Sequence, residues 1–280
     1  MKRQKDSALV TRSAPVFGRM KGLLGTPKDV KLAGGDLVTI PEVYLRRIGL
    51  AQGSADGHQL REEFRHIKRP MLSNIRAGSL PSGNNPRIIM VTSGSSNEGK
   101  TFIAQNLALS LGLERNMQVT LIDADIATHS LSDFYGLSTE FGLLDMLHDP
   151  SITLADTLQA TNVENLSILP VGERRHDSAE LLAGDRFSQV LNEILQRSPN
   201  QVIVLDSPAV LAGSAAITLA ERAGQLVFVV ASNESRRVNI DESLRLLNRA
   251  IAPMEGVGFG FVLNKTRPSR LGARYTGSPT

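Results

Sequence analysis

The apolar residues of this chain fall into short unbroken runs and into longer stretches where they recur every three or four positions, and the two kinds alternate. The runs at Ile88–Thr92, Gln118–Asp123, Leu166–Val171, Gln201–Asp206, Gln225–Val230 and Val257–Asn264 predict strands. The spaced stretches at Thr101–Leu113, Ala179–Gln196, Gly213–Arg222 and Asp241–Ile251 predict helices between them. Such alternation implies an α/β fold with a mostly parallel sheet and helices on both faces. Ligands of such sheets sit at the carboxyl ends of the strands. Upstream, residues 1–58 are rich in Gly, Pro, Ser and basic side chains, with one strand-like patch, "DLVTI", and predict a flexible basic extension. From Gln59 the pattern turns amphipathic, with Leu60, Phe64 and Ile67 on one face of a helix that Pro70 is expected to end or kink.

Composition narrows the chemistry. With 280 residues, 41% hydrophobic and 21% charged, the chain can bury a sizeable core. It has no cysteine, which excludes disulfides, thiolate metal sites and cysteine nucleophiles. No apolar run reaches the roughly 20 residues of a membrane span, and the first residues lack the pattern of a signal peptide, so a cytoplasmic protein is expected. The net charge of +3 is unevenly placed. Lys2, Arg3, Lys5, Arg12, Arg19, Lys21, Lys28 and Lys31 face only Asp6 and Asp29 at one end, and Lys265, Arg267, Arg270 and Arg274 follow Asn264 without an acid. These ends read either as solvated arms or as segments attracted to an anionic leaflet or acidic surface. They carry too few aromatic residues for a base-stacking surface, so no nucleic-acid partner is expected.

The candidate chemistry sits at strand ends. Gly94, Ser95, Ser96, Asn97, Glu98, Gly99, Lys100 and Thr101 satisfy G-x-x-x-x-G-K-[ST], after a predicted strand and at the start of a predicted helix, and with the next residue, Phe102, they are the candidate ATP-binding loop. Glycines let the backbone curl so that its N–H groups meet phosphate oxygens, and the helix N-terminus favours negative charge. Lys100 suits the β- and γ-phosphates and the Thr101 hydroxyl suits Mg²⁺. "VTLIDADIA" puts Asp123 and Asp125 at a second strand tip, and "VIVLDSPA" puts Asp206 at a third. A metal-bound triphosphate needs such carboxylates, and phosphoryl transfer to a hydroxyl can use another as base. Asn264 closes the last strand, either as a turn residue or as an amide for a purine edge.

Together these residues resemble the bacterial tyrosine kinases (BY-kinases) of exopolysaccharide and capsule export, most closely the exosortase-associated tyrosine autokinase branch, CpsD/CapB-like, over about residues 37–268. The resemblance makes Gly94 to Thr101 the P-loop, Asp123 with Asp125 the D-x-D motif, and Asp206-Ser207-Pro208 the third motif of a ParA/MinD-like P-loop NTPase. It implies ATP and Mg²⁺ as cofactors, with Thr101, Asp125 and Asp206 serving the metal, Lys100 and Asp123 catalytic, and Asp123 the base. Glu62, Arg65 and Lys68 match the family's E-x-x-R-x-x-[RK] helix, which implies a homo-oligomer contact; i,i+3 pairing on a surface helix is the other reading. Residues 59–266 form the predicted kinase domain and 267–280 a disordered basic tail whose Tyr275 is the expected phospho-acceptor.

The resemblance further implies a protein-tyrosine autokinase regulating exopolysaccharide synthesis or export, peripheral at the inner face of the membrane through a partner, the chain-length determinant or polysaccharide copolymerase. Three departures qualify it: Ala127 stands where D-x-D-x-R has arginine, Ala215 where an acid is common, and Tyr275 is the tail's one tyrosine. They favour, as an alternative, a catalytically weak ATP-dependent assembly switch. A ParA/MinD-like positioning ATPase would carry lysine where this chain has Ser95.

Overall fold

The computed structural model describes residues 10–12, 37–42, 45, 55–78, 80, 84–128, 130–137, 140–252 and 256–266. Among these residues nine strands form one sheet: β1 (Val10–Arg12), β2 (Leu37–Val38), β3 (Ile88–Ser93), β4 (Gln118–Asp123), β5 (Gln159–Thr161), β6 (Leu166–Leu169), β7 (Gln201–Asp206), β8 (Gln225–Ala231) and β9 (Gly258–Asn264). Their spatial order is β1-β9-β8-β3-β7-β4-β6-β5-β2, with every pair parallel except β5 and β6. The central strands β3 and β7 are buried at every residue, which is why they read as unbroken apolar runs and not as alternations.

Successive side chains of a strand point to opposite faces, and two apolar layers follow. Ile89 and Val91 of β3 pack with Val202 and Val204 of β7 under α1 (Ala55–Ala77) and α2 (Lys100–Gly112). Ile88 and Met90 pack with Ile203 and Leu205 against helices of the other face. The short α3 (Ser130–Phe134) adds Leu131 to the first layer, and the helices of the other face are α4 (Leu143–His148), α5 (Leu154–Thr157), α6 (Ser178–Ala183), α7 (Asp185–Gln196), α8 (Ala215–Ala220) and α9 (Arg237–Ile251). The helix expected over Ala179–Gln196 is thus two, separated by Gly184 in an extended conformation. Short elements α3, α4, α5 and β5 were not legible as periodic patterns, being three to six residues long.

The amphipathic helix does not end at Pro70. It runs on to Ala77, although Pro70 cannot donate the hydrogen bond owed to the preceding turn. Tertiary contacts outweigh that loss: Met71 and Leu72 continue the buried face of Leu60, Phe64 and Ile67, the Asn74 amide donates to Gln225 Oε1 (2.9 Å), and the Gln225 amide donates to the Met71 carbonyl (3.3 Å).

Lys68 corrects a second expectation. It is 8% exposed, and its ammonium donates to the Ser110 carbonyl (2.6 Å) and pairs with Glu114 (2.8 Å), binding α1 to the end of α2. A side chain spent inside the fold is no contact for another copy; its place in the matched motif reflects helix docking. Glu62 and Arg65 pair with each other at 2.9 Å on the exposed face. Lys68→Ala should cost about 2 kcal/mol, below the usual figure for breaking a buried pair because Glu114 keeps partial access to water. Thermal melts at matched concentration check it; an unchanged midpoint would show the tie to be idle.

The boundary at residue 58 also shifts in meaning. The "DLVTI" patch joins the sheet as β2: Val38 and Ile40 have no exposure, and Asn162 clamps Ile40 by accepting from its N–H (2.9 Å) and donating to its carbonyl (3.2 Å). Val38 and Ile40 are therefore part of the core, and residues 37–40 are tied to the sheet. Tyr44 and the tail bearing Tyr275 lie outside the described residues.

Candidate nucleotide and metal site

Strand order brings the candidate residues together. β7 lies between β3 and β4, so Asp206 pairs in register with both Val91 and Asp123, and the P-loop leaves β3 beside the two carboxylates. Gly99 closes the loop at φ +96°, a left-handed conformation that glycine adopts freely, and caps the N-terminus of α2. A β-carbon there would lie 2.0 Å from the Asn264 amide nitrogen, so the position is restricted twice.

The loop is held by its own residues and by two strand ends. Glu98 is 4% exposed; its carboxylate accepts the Ser95 N–H (2.9 Å) and the Ser235 hydroxyl. Asn239 donates to the Ser95 hydroxyl (3.0 Å), and Ser93 donates to the Ser95 carbonyl (2.7 Å). Lys265 donates to the Asn97 carbonyl (2.8 Å) and pairs with Glu234. Asn264 donates to the Glu98 carbonyl (3.0 Å) and accepts the Lys265 N–H (2.8 Å). Its amide is thus a brace for the loop and is not presented to a purine edge. Ser96 and Asn97 are exposed, whereas Phe102 is 2% exposed and turned into the core, its ring edge-on to Phe64 at 6.5 Å. The Phe102 side chain therefore supplies packing and the Glu98 carboxylate loop geometry, which leaves their backbone N–H groups as what they could offer a nucleotide.

Lys100, Thr101, Asp123, Asp125 and Asp206 are all buried. Lys100 Nζ lies 3.7 Å from Asp125 Oδ2. Asp125 also orders its own loop, Oδ1 accepting the Ala127 and Thr128 N–H groups (both 3.1 Å) and Oδ2 the Thr128 hydroxyl (2.8 Å). Asp123 Oδ2 accepts the N–H (2.8 Å) and hydroxyl (2.6 Å) of Ser132, and Oδ1 the Asp125 N–H (3.2 Å). Burial still pushes the Asp123 carboxyl up to about 7. Asp206 is raised well above the carboxylate range by burial and by the neighbouring Asp123, with Lys100 opposing. Neither Asp206 oxygen meets a hydrogen-bond donor in good geometry; the Thr101 hydroxyl lies close enough to favour the charged form without closing such a bond.

A buried carboxylate without a donor, beside a second carboxylate and a P-loop threonine, fits a dication. Among the described residues no three acidic or histidine side chains converge into an all-protein cage. Mg²⁺ keeps waters and phosphate oxygens and takes only one or two carboxylates. Thr101 and Asp206, with Asp125 nearby, are the residues that would hold it. Sequence reasoning missed Ser132, Ser235 and Asn239. Of these, Ser235 and Asn239 follow the carboxyl end of β8, where position alone marked them; Ser132 gave no signal.

The ParA family profile, described as NUBPL iron-transfer P-loop NTPase, matches residues 84–257. A putative tyrosine-protein kinase EpsB of Ralstonia nicotianae is 28% identical over 194 residues, which cover 69% of this chain and 25% of EpsB. The chain thus spans about a quarter of that relative's length. A putative tyrosine-protein kinase CapB of Staphylococcus aureus is 26% identical over 204 residues, 73% of this chain and 83% of CapB. The kinase domain of the Escherichia coli tyrosine kinase ETK superposes with a TM-score of 0.69 at 21% identity, covering 96% of this chain and 92% of that domain, a likeness of fold. Among the described residues no helix is long and apolar enough to cross a membrane.

Proposed function

Since the chain belongs to the ParA family of P-loop NTPases and its relatives are named bacterial tyrosine-protein kinases, we propose that it is an ATP- and Mg²⁺-dependent protein-tyrosine autokinase. The observation that carries the reading is the placement of Lys100, 3.7 Å from Asp125, beside Asp206 and its strand neighbour Asp123 at the start of the P-loop helix. In the proposed reaction the bond from the γ-phosphorus to the bridging oxygen of ADP breaks, and a tyrosyl oxygen–phosphorus bond forms in line with it. The loop amides and Lys100 hold the phosphates; Thr101, Asp125 and Asp206 serve Mg²⁺. Asp123 accepts the tyrosyl proton, and a carboxyl near 7 is matched to that task. Because Asp123 has no solvent exposure, the acceptor must enter the site or act through one water.

The acceptor in this reading is Tyr275 of another copy, and Glu62 with Arg65 forms the exposed contact between copies. The chain works with a membrane chain-length determinant or polysaccharide copolymerase in exopolysaccharide export, at the inner face of the membrane. This partner rests on the resemblance of the P-loop, D-x-D and D-[ST]-P motifs. Iron transfer, the role in the description of the matching profile, is not proposed: the chain has no cysteine for cluster thiolates.

Radiolabelled ATP with Mg²⁺ tests the reading. Label is expected on protein tyrosine, chiefly Tyr275 by peptide mapping, and Tyr275→Phe should remove most of it. Released phosphate without protein label would identify an ATPase. Retained nucleotide without turnover would identify the assembly switch, which the methyl groups of Ala127 and Ala215 favour.

A further inference from the structure

The loop that follows β6 is tied to both carboxylates of the D-x-D motif. The Val171 N–H donates to the Ser132 hydroxyl (3.0 Å), which in turn donates to Asp123. Three residues on, Arg174 Nη2 donates to the Ala127 carbonyl (2.7 Å), 47 positions away in sequence. Ala127 belongs to the turn that Asp125 orders, since Asp125 Oδ1 accepts its N–H. One peptide end of this turn is therefore held by the Asp125 carboxylate and the other by a guanidinium from another segment.

The segment that delivers Arg174 is itself fixed. Asp145 is 2% exposed, and its Oδ2 accepts the N–H groups of Gly142 (2.9 Å) and Glu173 (3.1 Å), while Arg175 bridges Asp145 and Glu173. Gly172, at φ +82°, lies so close to Asp145 that a β-carbon would stand 2.2 Å from Oδ2. The backbone on either side of Arg174 is thereby anchored while its side chain stays exposed. That arrangement is costly for a residue of no consequence, because holding a long exposed side chain in one place loses rotamer freedom.

We propose that Arg174 is a positioning residue for Asp125: by holding the Ala127 carbonyl it fixes the turn through which Asp125 is aimed at the metal-bound nucleotide. The inference rests on the nucleotide and Mg²⁺ site proposed above. A single hydrogen bond to an ionised donor suits this work, being short and strong for its size. The Ala127 side chain, a methyl group, contributes no such tie of its own.

The test measures binding of a fluorescent ATP analogue to the full chain across a Mg²⁺ titration. In Arg174→Ala the Mg²⁺ concentration for half-maximal binding should rise roughly tenfold, the lower end of what lost outer partners of metal ligands cost, because this one is exposed. Binding without Mg²⁺ and the melting midpoint should stay as in the parent. Arg174→Lys, which keeps a charged donor, should recover most of the loss. An unchanged Mg²⁺ requirement in Arg174→Ala overturns the inference, as does an equal loss of Mg²⁺-free binding, which would mark general charge in the cleft. A parent that binds no nucleotide at any Mg²⁺ concentration would instead overturn the underlying site.

Discussion

Lys100→Met is expected to lower ATP turnover at least about 100-fold while leaving the fold intact. The structure buries this lysine, 5% exposed, at the first residue of α2, with its ammonium 3.7 Å from Asp125. Methionine fills nearly the same volume, so the packing survives. What is lost is a positive charge among three buried carboxylates, the same charge that would neutralise the phosphates. Without it Asp206 loses the attraction that opposes its protonation, and the site becomes more repulsive to a triphosphate. Circular dichroism measured with turnover separates the outcomes. Normal turnover in a folded variant would remove Lys100 from the site.

Asp206→Asn should do the reverse to stability, raising the nucleotide-free melting midpoint at pH 8 by about 6 °C while abolishing the rise that Mg²⁺-ATP gives the parent. Asp206 is fully buried and its two oxygens meet no donor in good geometry, so ionising it inside the fold is unfavourable. The sign with pH follows from the raised carboxyls. Asp123 rises from 3.8 to about 7 on folding. Between those values the unfolded chain releases a proton that the native state retains, so stability is full below about pH 4 and falls as pH rises through 7. Asp206, raised in the same direction, adds to the decline. At pH 5 more of the parent holds Asp206 neutral than at pH 8, and the variant should gain less. Differential scanning at both pH values decides it: an equal or negative shift at pH 8 would mean that the carboxylate is satisfied in the native state. A dication bound with nucleotide would stabilise the ionised pair, so in the proposed reading the strain of the unpaired carboxylates and an affinity for the metal would have one cause.

Much of this site was legible because its residues obey a positional rule. Acids at the tips of apolar runs are brought together whenever the runs are neighbouring parallel strands, and the β3-β7-β4 order makes Asp123 and Asp206 neighbours. The glycine-rich loop was legible for the same reason, since a strand before it and a helix after it fix its place. Residues whose roles depend on what lies opposite were not. Lys68 and Arg65 have the same charge and sit three positions apart, yet only Lys68 meets the last turn of α2. Phe102 and Asn264 belong to the motifs by position, but one faces the apolar layer and the other the underside of the loop. Arg174 carries no periodic signal at all; only the folded loop after β6 brings it to Ala127.

The two outermost strands, β1 and β2, both come from the first 40 residues, yet they close opposite edges of the sheet. Their partners lie far along the chain, β5 for β2 and β9 for β1, so each edge pairing closes a long loop at a high entropic cost. While either pairing is unmade, the backbone groups of β5 or β9 stand open to any passing strand, and the two ends of one short stretch of chain guard both flanks of the sheet against aggregation.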